Sequence, residues 1–261
     1  MKPSVSFLTV VFKEDLSLVK RCFSSLLAQS YTNFNIIVVL NSERPDVLNH
    51  IKDLNSDKFL IKKMSENVGL TKALNEGLNL IESEFVARID PDDFCLPHRL
   101  ASQVEFFEQN PGYVLVGCAY DEIYKGQTIS PNVPFVSGGL QLAESLKSFN
   151  PFAHSSLMIR THSIKSLGGY DPKYRFAQDY DLICRISKLG KLENLKVKLI
   201  VREKSLNQIS IRNRRQQLYF SMEIRSRLIL GSGLTFVSFL NLTKSFVSYL
   251  LPNFLYDKIK N

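Results

Sequence analysis

Phe85-Val86-Ala87-Arg88-Ile89-Asp90-Pro91-Asp92-Asp93 is an apolar run that breaks into three carboxylates. The segment Glu84 to Ala87 reads as a buried strand. A strand ending in Asp-x-Asp can aim two carboxylates at one hard divalent cation from the rim of a sheet. Mg²⁺ or Mn²⁺ held that way keeps positions open for the oxygens of a phosphate. Taken alone, the motif has a plainer reading, a polar loop that caps the next helix. Its surroundings decide between the two.

Upstream, strand-like and helix-like patterns alternate. Val5 to Phe12 is a β-rich apolar run, and Phe34 to Leu40 is apolar enough to be buried on both faces. Between them, Leu16, Val19, Cys22, Phe23, Leu26 and Leu27 give Leu16 to Ala28 a helical period. A helix over Pro45 to Leu54, a short strand over Lys58 to Lys62 and a helix over Gly69 to Ile81 follow. Downstream a helix starts near Pro97, a residue suited to a first turn. Alternation of this kind predicts an α/β fold with a mostly parallel, Rossmann-like sheet flanked by helices. Ligands of such sheets bind beyond the carboxyl ends of the strands, which is where Asp90 and Asp92 fall.

The second half is less regular. It predicts a strand over Tyr113 to Tyr120, an extended turn-rich stretch over Gln127 to Val136 and a short helix over Leu140 to Phe149. A strand over His154 to Ile159, a tight turn at Gly168 to Pro172 and a helix from Asp179 to Leu189, capped by Gly190, complete it.

At 261 residues, with 44% hydrophobic and 22% charged residues, the chain can bury a full core. The net charge of +8 points to an anionic partner: nucleic acid, a nucleotide-linked substrate or a membrane surface. No zinc-finger or RNA-binding aromatic signature is present, which ranks nucleic acid last. The four cysteines, Cys22, Cys95, Cys118 and Cys184, are scattered without a Cys-x-x-Cys pair, as expected of reduced thiols in the cytoplasm. The N-terminal apolar run is too short for a signal peptide and reads as the first strand. Phosphate-loop, dinucleotide-loop, zinc-protease and serine-hydrolase motifs are all missing.

Towards the C-terminus, Arg212, Arg214, Arg215, Arg225 and Arg227 precede an apolar stretch from Leu228 to Leu251. Asn241 and Lys244 interrupt it and Pro252 ends it, which argues against a membrane span. On a helix, Ser238, Asn241, Ser245 and Ser248 would form a polar stripe opposite Phe236, Leu240, Val247 and Leu251. A basic segment leading into such a helix predicts peripheral attachment to an anionic membrane, on its inner face. The alternative is packing on its own domain, or on a second subunit of a homodimer.

Seven stretches, in order, resemble the inverting glycosyltransferases of family 2, which have the GT-A fold. They are Val5 to Phe12, Ser24 to Tyr31, Asn67 to Leu70 with Ala73 to Gly77, Ala87 to Asp93, His154 to Arg160, Gly168 to Asp171, and Gln178 to Leu182. The resemblance covers roughly four-fifths of the chain and implies a glycosyltransferase domain over residues 1–210. Its nucleotide-sugar half would span about 1–120 and its acceptor half about 121–210, with residues 211–261 as a helical appendage.

The resemblance also implies roles. Asp92 would coordinate Mn²⁺ or Mg²⁺, Asp90 would lie near the ribose, and Asp179 would be the general base for direct displacement. Val10, Phe12, Asn41, Asn67, Asn75, Arg88, Asp90 and Pro91 would line the nucleotide-sugar site. His154, Gln178, Arg202 and Lys204 would contact the diphosphate or the acceptor. Asp93 is expected to cap the following helix, Asp181 to organise the helix start, and a capping role competes for Asp179. The implied donor is a nucleoside diphosphate sugar, with uridine first. The implied acceptor is a hydroxyl of a glycan or lipid-linked glycan in bacterial surface-polysaccharide assembly.

The chain departs from the family at Leu40-Asn41, where an acidic pair is usual, and at Lys204, where a His is frequent. Those departures favour the alternative of an inactive nucleotide-sugar-binding or scaffold relative. A nucleotidyltransferase is a third reading, but it would carry a Gly-rich basic loop after the first strand, and Val10 to Asp15 is not one.

Overall fold

The computed structural model describes residues 2–131, 133–204, 213–232 and 236–250. Its first half is parallel. Strands β1 (Val5–Val11), β2 (Phe34–Leu40), β3 (Phe59–Lys63) and β4 (Phe85–Arg88) lie in the order β3-β2-β1-β4 with parallel pairing throughout. Helices α1 (Leu16–Leu27), α2 (Pro45–Asp53) and α3 (Leu70–Leu78) make the crossovers. Because successive strand residues point to opposite faces, Phe7, Val11, Ile36 and Val38 enter one core with Val19, Phe23 and Leu26 of α1. Leu8, Val10, Ile37 and Val39 enter the other with Ala73, Leu74 and Leu78 of α3. That double burial is why β1 and β2 read as unbroken apolar runs.

Beyond β4 the sheet becomes mixed. After β5 (Phe94–Cys95) and α4 (Arg99–Gln109) come β6 (Tyr113–Tyr124) and β7 (Gln127–Ile129), an antiparallel pair. Helix α5 (Gly139–Ser145) and a 3-10 turn at His154–Ser156 lead to β8 (Met158–Arg160), antiparallel to both β4 and β6. Helices α6 (Thr161–Ser166) and α7 (Gln178–Ile186) precede β9 (Lys191–Glu203), which runs parallel to β6 and antiparallel to β5. The full order is β3-β2-β1-β4-β8-β6-β9-β5, with β7 on β6.

Several sequence expectations are corrected. His154 to Ser156 form a 3-10 turn rather than the start of a strand. Helix α7 ends at Ile186 with Ser187 as its cap, so Gly190 is not the cap. Gly190 is instead a close approach, because a Cβ there would lie 2.6 Å from Val114 Cγ1. Helix α4 begins after Pro97, with His98 at its N-cap. Asp93 lies well before that cap and does not serve it.

The C-terminal helices α8 (Arg214–Ser232) and α9 (Phe236–Leu250) are fastened to the domain. Ile224 of α8 is fully buried. Gln217 Oε1 accepts from the Ala177 N–H (3.2 Å), Glu223 meets Lys173 and the Tyr174 hydroxyl, and Arg227 pairs with buried Asp181. Helix α9 lies on α8 with part of its polar side inward: Arg225 Nη1 donates to Ser245 Oγ (2.8 Å), and Arg214 donates to the Ser248 carbonyl (2.7 Å). Leu240, Phe246, Val247 and Leu250 are left exposed. Among the described residues no helix is long and apolar enough to cross a membrane. Arg212, Leu251, Pro252 and the domain boundary expected near residue 210 lie outside the described residues.

Candidate active site

The carboxyl end of β4 carries the acidic cluster. Asp90, Asp92 and Asp93 bring one carboxylate oxygen each within 4.8 Å of one another. Like charges this close repel, so something must hold them. Arg88, itself 2% exposed, pairs with Asp90 and donates to the Leu8 carbonyl (3.2 Å). Ser155 fixes Asp90 from the other side: its Oγ donates to Oδ2 (3.0 Å) and accepts from the Asp90 N–H (3.0 Å). Asp93 Oδ1 accepts from the Glu203 N–H (2.9 Å), and its Oδ2 lies 3.7 Å from Arg202. Asp93 is thus tied to β9, not to α4. Asp92 has no comparable clamp among the described contacts, although Arg21 of α1 reaches its carbonyl (3.0 Å).

The electrostatics follow this asymmetry. Burial works against ionisation of Asp90, but the charges of Arg88 and Arg202 and the Ser155 hydroxyl hold its carboxyl below the usual range. Burial, then Asp93 and Asp90, push Asp92 up to about 8. Burial also pushes Asp93 up to about 6, despite Arg202. Three convergent carboxylates that resist simultaneous ionisation are a donor set suited to a hard divalent cation, whose charge would relieve the repulsion.

Asp179 lies in the first turn of α7. It is not the helix cap, because that place belongs to Ala177, a left-handed residue with φ 57°. The Asp179 Oδ2 instead accepts from Asn150 Nδ2 (2.9 Å). Burial raises its carboxyl above 3.8 and Asp90 adds to this, while the amides of Tyr180 and Asp179 and the charge of Arg202 oppose it. Asp90 and Arg202 therefore act on both the cluster and Asp179. Asp181, expected to organise the helix start, is fully buried and pairs with Arg185 (2.7 Å) and Arg227.

The remaining expected site residues fall into distinct settings. Val10 and Pro91 are buried, and Phe12 is half-buried at the end of β1. Asn41 Nδ2 donates to Asn67 Oδ1 (2.9 Å), and Asn41 Oδ1 accepts from the Val68 N–H (3.0 Å), so these two residues lock the ends of adjacent loops together. Asn75 gives both ends of its amide to the Tyr170 backbone, at 2.7 and 2.9 Å. His154 Nε2 pairs with the Tyr170 hydroxyl (2.8 Å). Burial, with Arg88, lowers the His154 ring to about 3, so it is neutral at pH 7. Gln178 is buried at the start of α7. Arg202 and Lys204 both meet Glu122, at 3.5 and 3.3 Å, and Arg202 lies over the Tyr120 ring.

Sequence reasoning missed several residues that shape this site. Asn150 precedes a proline, which signals a turn but not a contact with a residue 29 positions away. Arg99 is fully buried and donates to the Arg88 (2.8 Å) and Leu157 (3.1 Å) carbonyls, bracing the strand that ends in the cluster. Ser155 lay inside a quoted motif, yet only the fold brings it to Asp90.

The sequence model described as "Glycosyl transferase family 2" matches residues 6–167. Over 181 residues the chain is 31% identical to the amylovoran biosynthesis glycosyltransferase AmsE of Erwinia amylovora, covering 68% of this chain and 67% of that protein. Two solved structures share the fold at low identity. S. aureus TarS 1-349 in complex with UDP-GlcNAc superposes with a TM-score of 0.72 at 14% identity, covering 95% of this chain and 71% of that one. The mannosyltransferase PcManGT from Pyrobaculum calidifontis, in complex with GDP-Man and Mn²⁺, gives 0.66 at 16% identity, covering 97% and 71%.

Proposed function

We propose that this chain, which belongs to glycosyl transferase family 2 and is a nucleotide-sugar-dependent glycosyltransferase, transfers its sugar with inversion, Asp179 acting as base. The donor is a uridine diphosphate sugar, and the acceptor is a hydroxyl of a glycan or lipid-linked glycan of a bacterial surface polysaccharide. The observation that carries this reading is the placement of two acidic groups in one electrostatic field. Asp90 and Asp93 of the cluster and the lone Asp179 all feel Arg202.

The cluster would hold Mn²⁺ or Mg²⁺, with Asp92 the principal ligand and Asp90 beside the ribose. A divalent cation so held supplies Lewis-acid stabilisation to the departing diphosphate. The chain's own residues do the rest. Arg88 and Ser155 keep Asp90 ionised and oriented. Arg202 and Lys204 add positive charge on the diphosphate side, and neutral His154 holds Tyr170 without adding any. Asp179 takes the proton of the acceptor hydroxyl as oxygen attacks the anomeric carbon. A raised carboxyl is the better base for that step.

We further propose that α9 seats the enzyme on an anionic membrane, on its inner face. Ser245 faces Arg225, while Leu240, Val247 and Leu250 are exposed on one side with Lys244 between them. The test of donor function is a thermal-shift panel of UDP, GDP, dTDP and CMP, each with and without Mn²⁺. The expected result is a rise in melting temperature with UDP only when metal is present. Equal rises with and without Mn²⁺ would refute the metal-assisted donor site.

A further inference from the structure

One of the two oxygens of the Asp179 carboxylate has a fixed side-chain donor. Oδ2 accepts from Asn150 Nδ2 at 2.9 Å. The orientation of that donor is itself set, because Asn150 Oδ1 accepts from the Phe152 N–H (3.1 Å). One end of the side chain is spent on its own loop, which turns the other end to Asp179. The loop is anchored further on: the Pro151 carbonyl accepts from Asn194 of β9 (3.1 Å), and Phe152 is buried.

We propose that Asn150 is the positioning residue for the base, holding Oδ2 so that Oδ1 faces the acceptor hydroxyl. This rests on the reading of Asp179 as the base. A carboxylate at a helix start can otherwise rotate about its terminal torsion, which has broad wells. A single fixed donor removes that freedom. It also stabilises the ionised form, which burial and the charge of Asp90 oppose and which Arg202 and the amides of Asp179 and Tyr180 favour. Tyr170 faces it from the 168–171 turn, and Tyr180 and Cys184 from its own helix. Removing Asn150 therefore takes away orientation and charge stabilisation together, without touching the acidic cluster.

The experiment compares full-length wild type, Asn150→Ala, Asn150→Asp and Asp179→Asn in transfer from the donor found by the nucleotide panel. For Asn150→Ala the expectation is kcat down about 10- to 100-fold, with donor KM changed less than about twofold. The acid limb of its pH–rate profile should move upward. Asn150→Asp keeps the acceptor for the Phe152 N–H and replaces the donor with a carboxylate, so its limb should move further up. Should Asn150→Ala not fold, Asn150→Asp decides alone. Wild-type kcat and an unmoved limb in the folded Asn150 variants, while Asp179→Asn is inactive, would overturn this role. Near-normal transfer by Asp179→Asn would instead overturn the base itself, and this inference with it.

Discussion

Replacing Asp92 by Asn should make the metal-free protein more stable while disabling it, and the size of the effect can be worked out. In the folded chain the Asp92 carboxyl titrates near 8, against an ordinary 3.8. At pH 7 the unfolded chain ionises this group freely and the folded chain does not. The unfolded state is favoured by about 3 pH units, or about 4 kcal/mol at 1.36 kcal/mol per unit. Asp92 is partly exposed, so screening halves this to about 2 kcal/mol. For a domain this long that is about 4 to 8 °C in melting temperature. The sign fixes the window. A raised folded-state pKa gives stability that is full below 3.8 and is lost as pH rises through about 8. In chelator the two proteins should therefore melt together near pH 4 and diverge up to pH 8, with Asp92→Asn the higher. Saturating Mn²⁺ at 100 times its Kd adds about 2.7 kcal/mol to a protein that binds it, so the order should reverse. Scanning fluorimetry across pH, with EDTA and then Mn²⁺, reads both arms. A variant less stable than wild type in EDTA at every pH would refute the reasoning and make Asp92 a structural residue.

Ala177 pays a backbone penalty at φ 57° just before the proposed base. Ala177→Gly should gain about 0.5 to 1 kcal/mol in urea denaturation, the reverse of the usual effect of glycine. The kcat/KM profile of wild type should have an acid limb above 3.8, since burial raises Asp179 and activity is lost as pH falls and the base is protonated. The residual activity of Asp179→Asn should lack that limb. Val247 is 55% exposed on the outer side of α9. Val247→Glu should weaken co-sedimentation with anionic vesicles about tenfold, as expected for losing about 1.4 kcal/mol of apolar burial, and should leave the melting temperature unchanged.

The parallel half of the fold was legible because β1, β2 and β4 are buried on both faces and helices with a clean period separate the strands, while only the edge strand β3 is partly exposed. The acidic cluster was legible for the same reason, since a strand that must stop at the sheet rim leaves its polar tail there. The mixed half hid itself. In β9, Leu192 and Ile200 are buried but Lys196 to Lys198 are exposed, and its pairing with β6 shifts register around Ala119. No single period survives such bulges. The role of Asp93 was misread because an Asp before a helix is a favoured cap, and only the fold brings β9 to its side chain. Asp179 invited the same misreading, because Ala177 takes the cap position in a conformation that alanine seldom adopts. Asn150 carries only the turn signal of the proline after it, because its partner is reached through tertiary packing.

The most direct measurement is release of nucleotide from the donor by wild type and Asp179→Asn, each first shown to bind that nucleotide with Mn²⁺. The account predicts equal binding and a turnover lower by about 100-fold or more in the variant. Equal turnover, with binding intact, would contradict it.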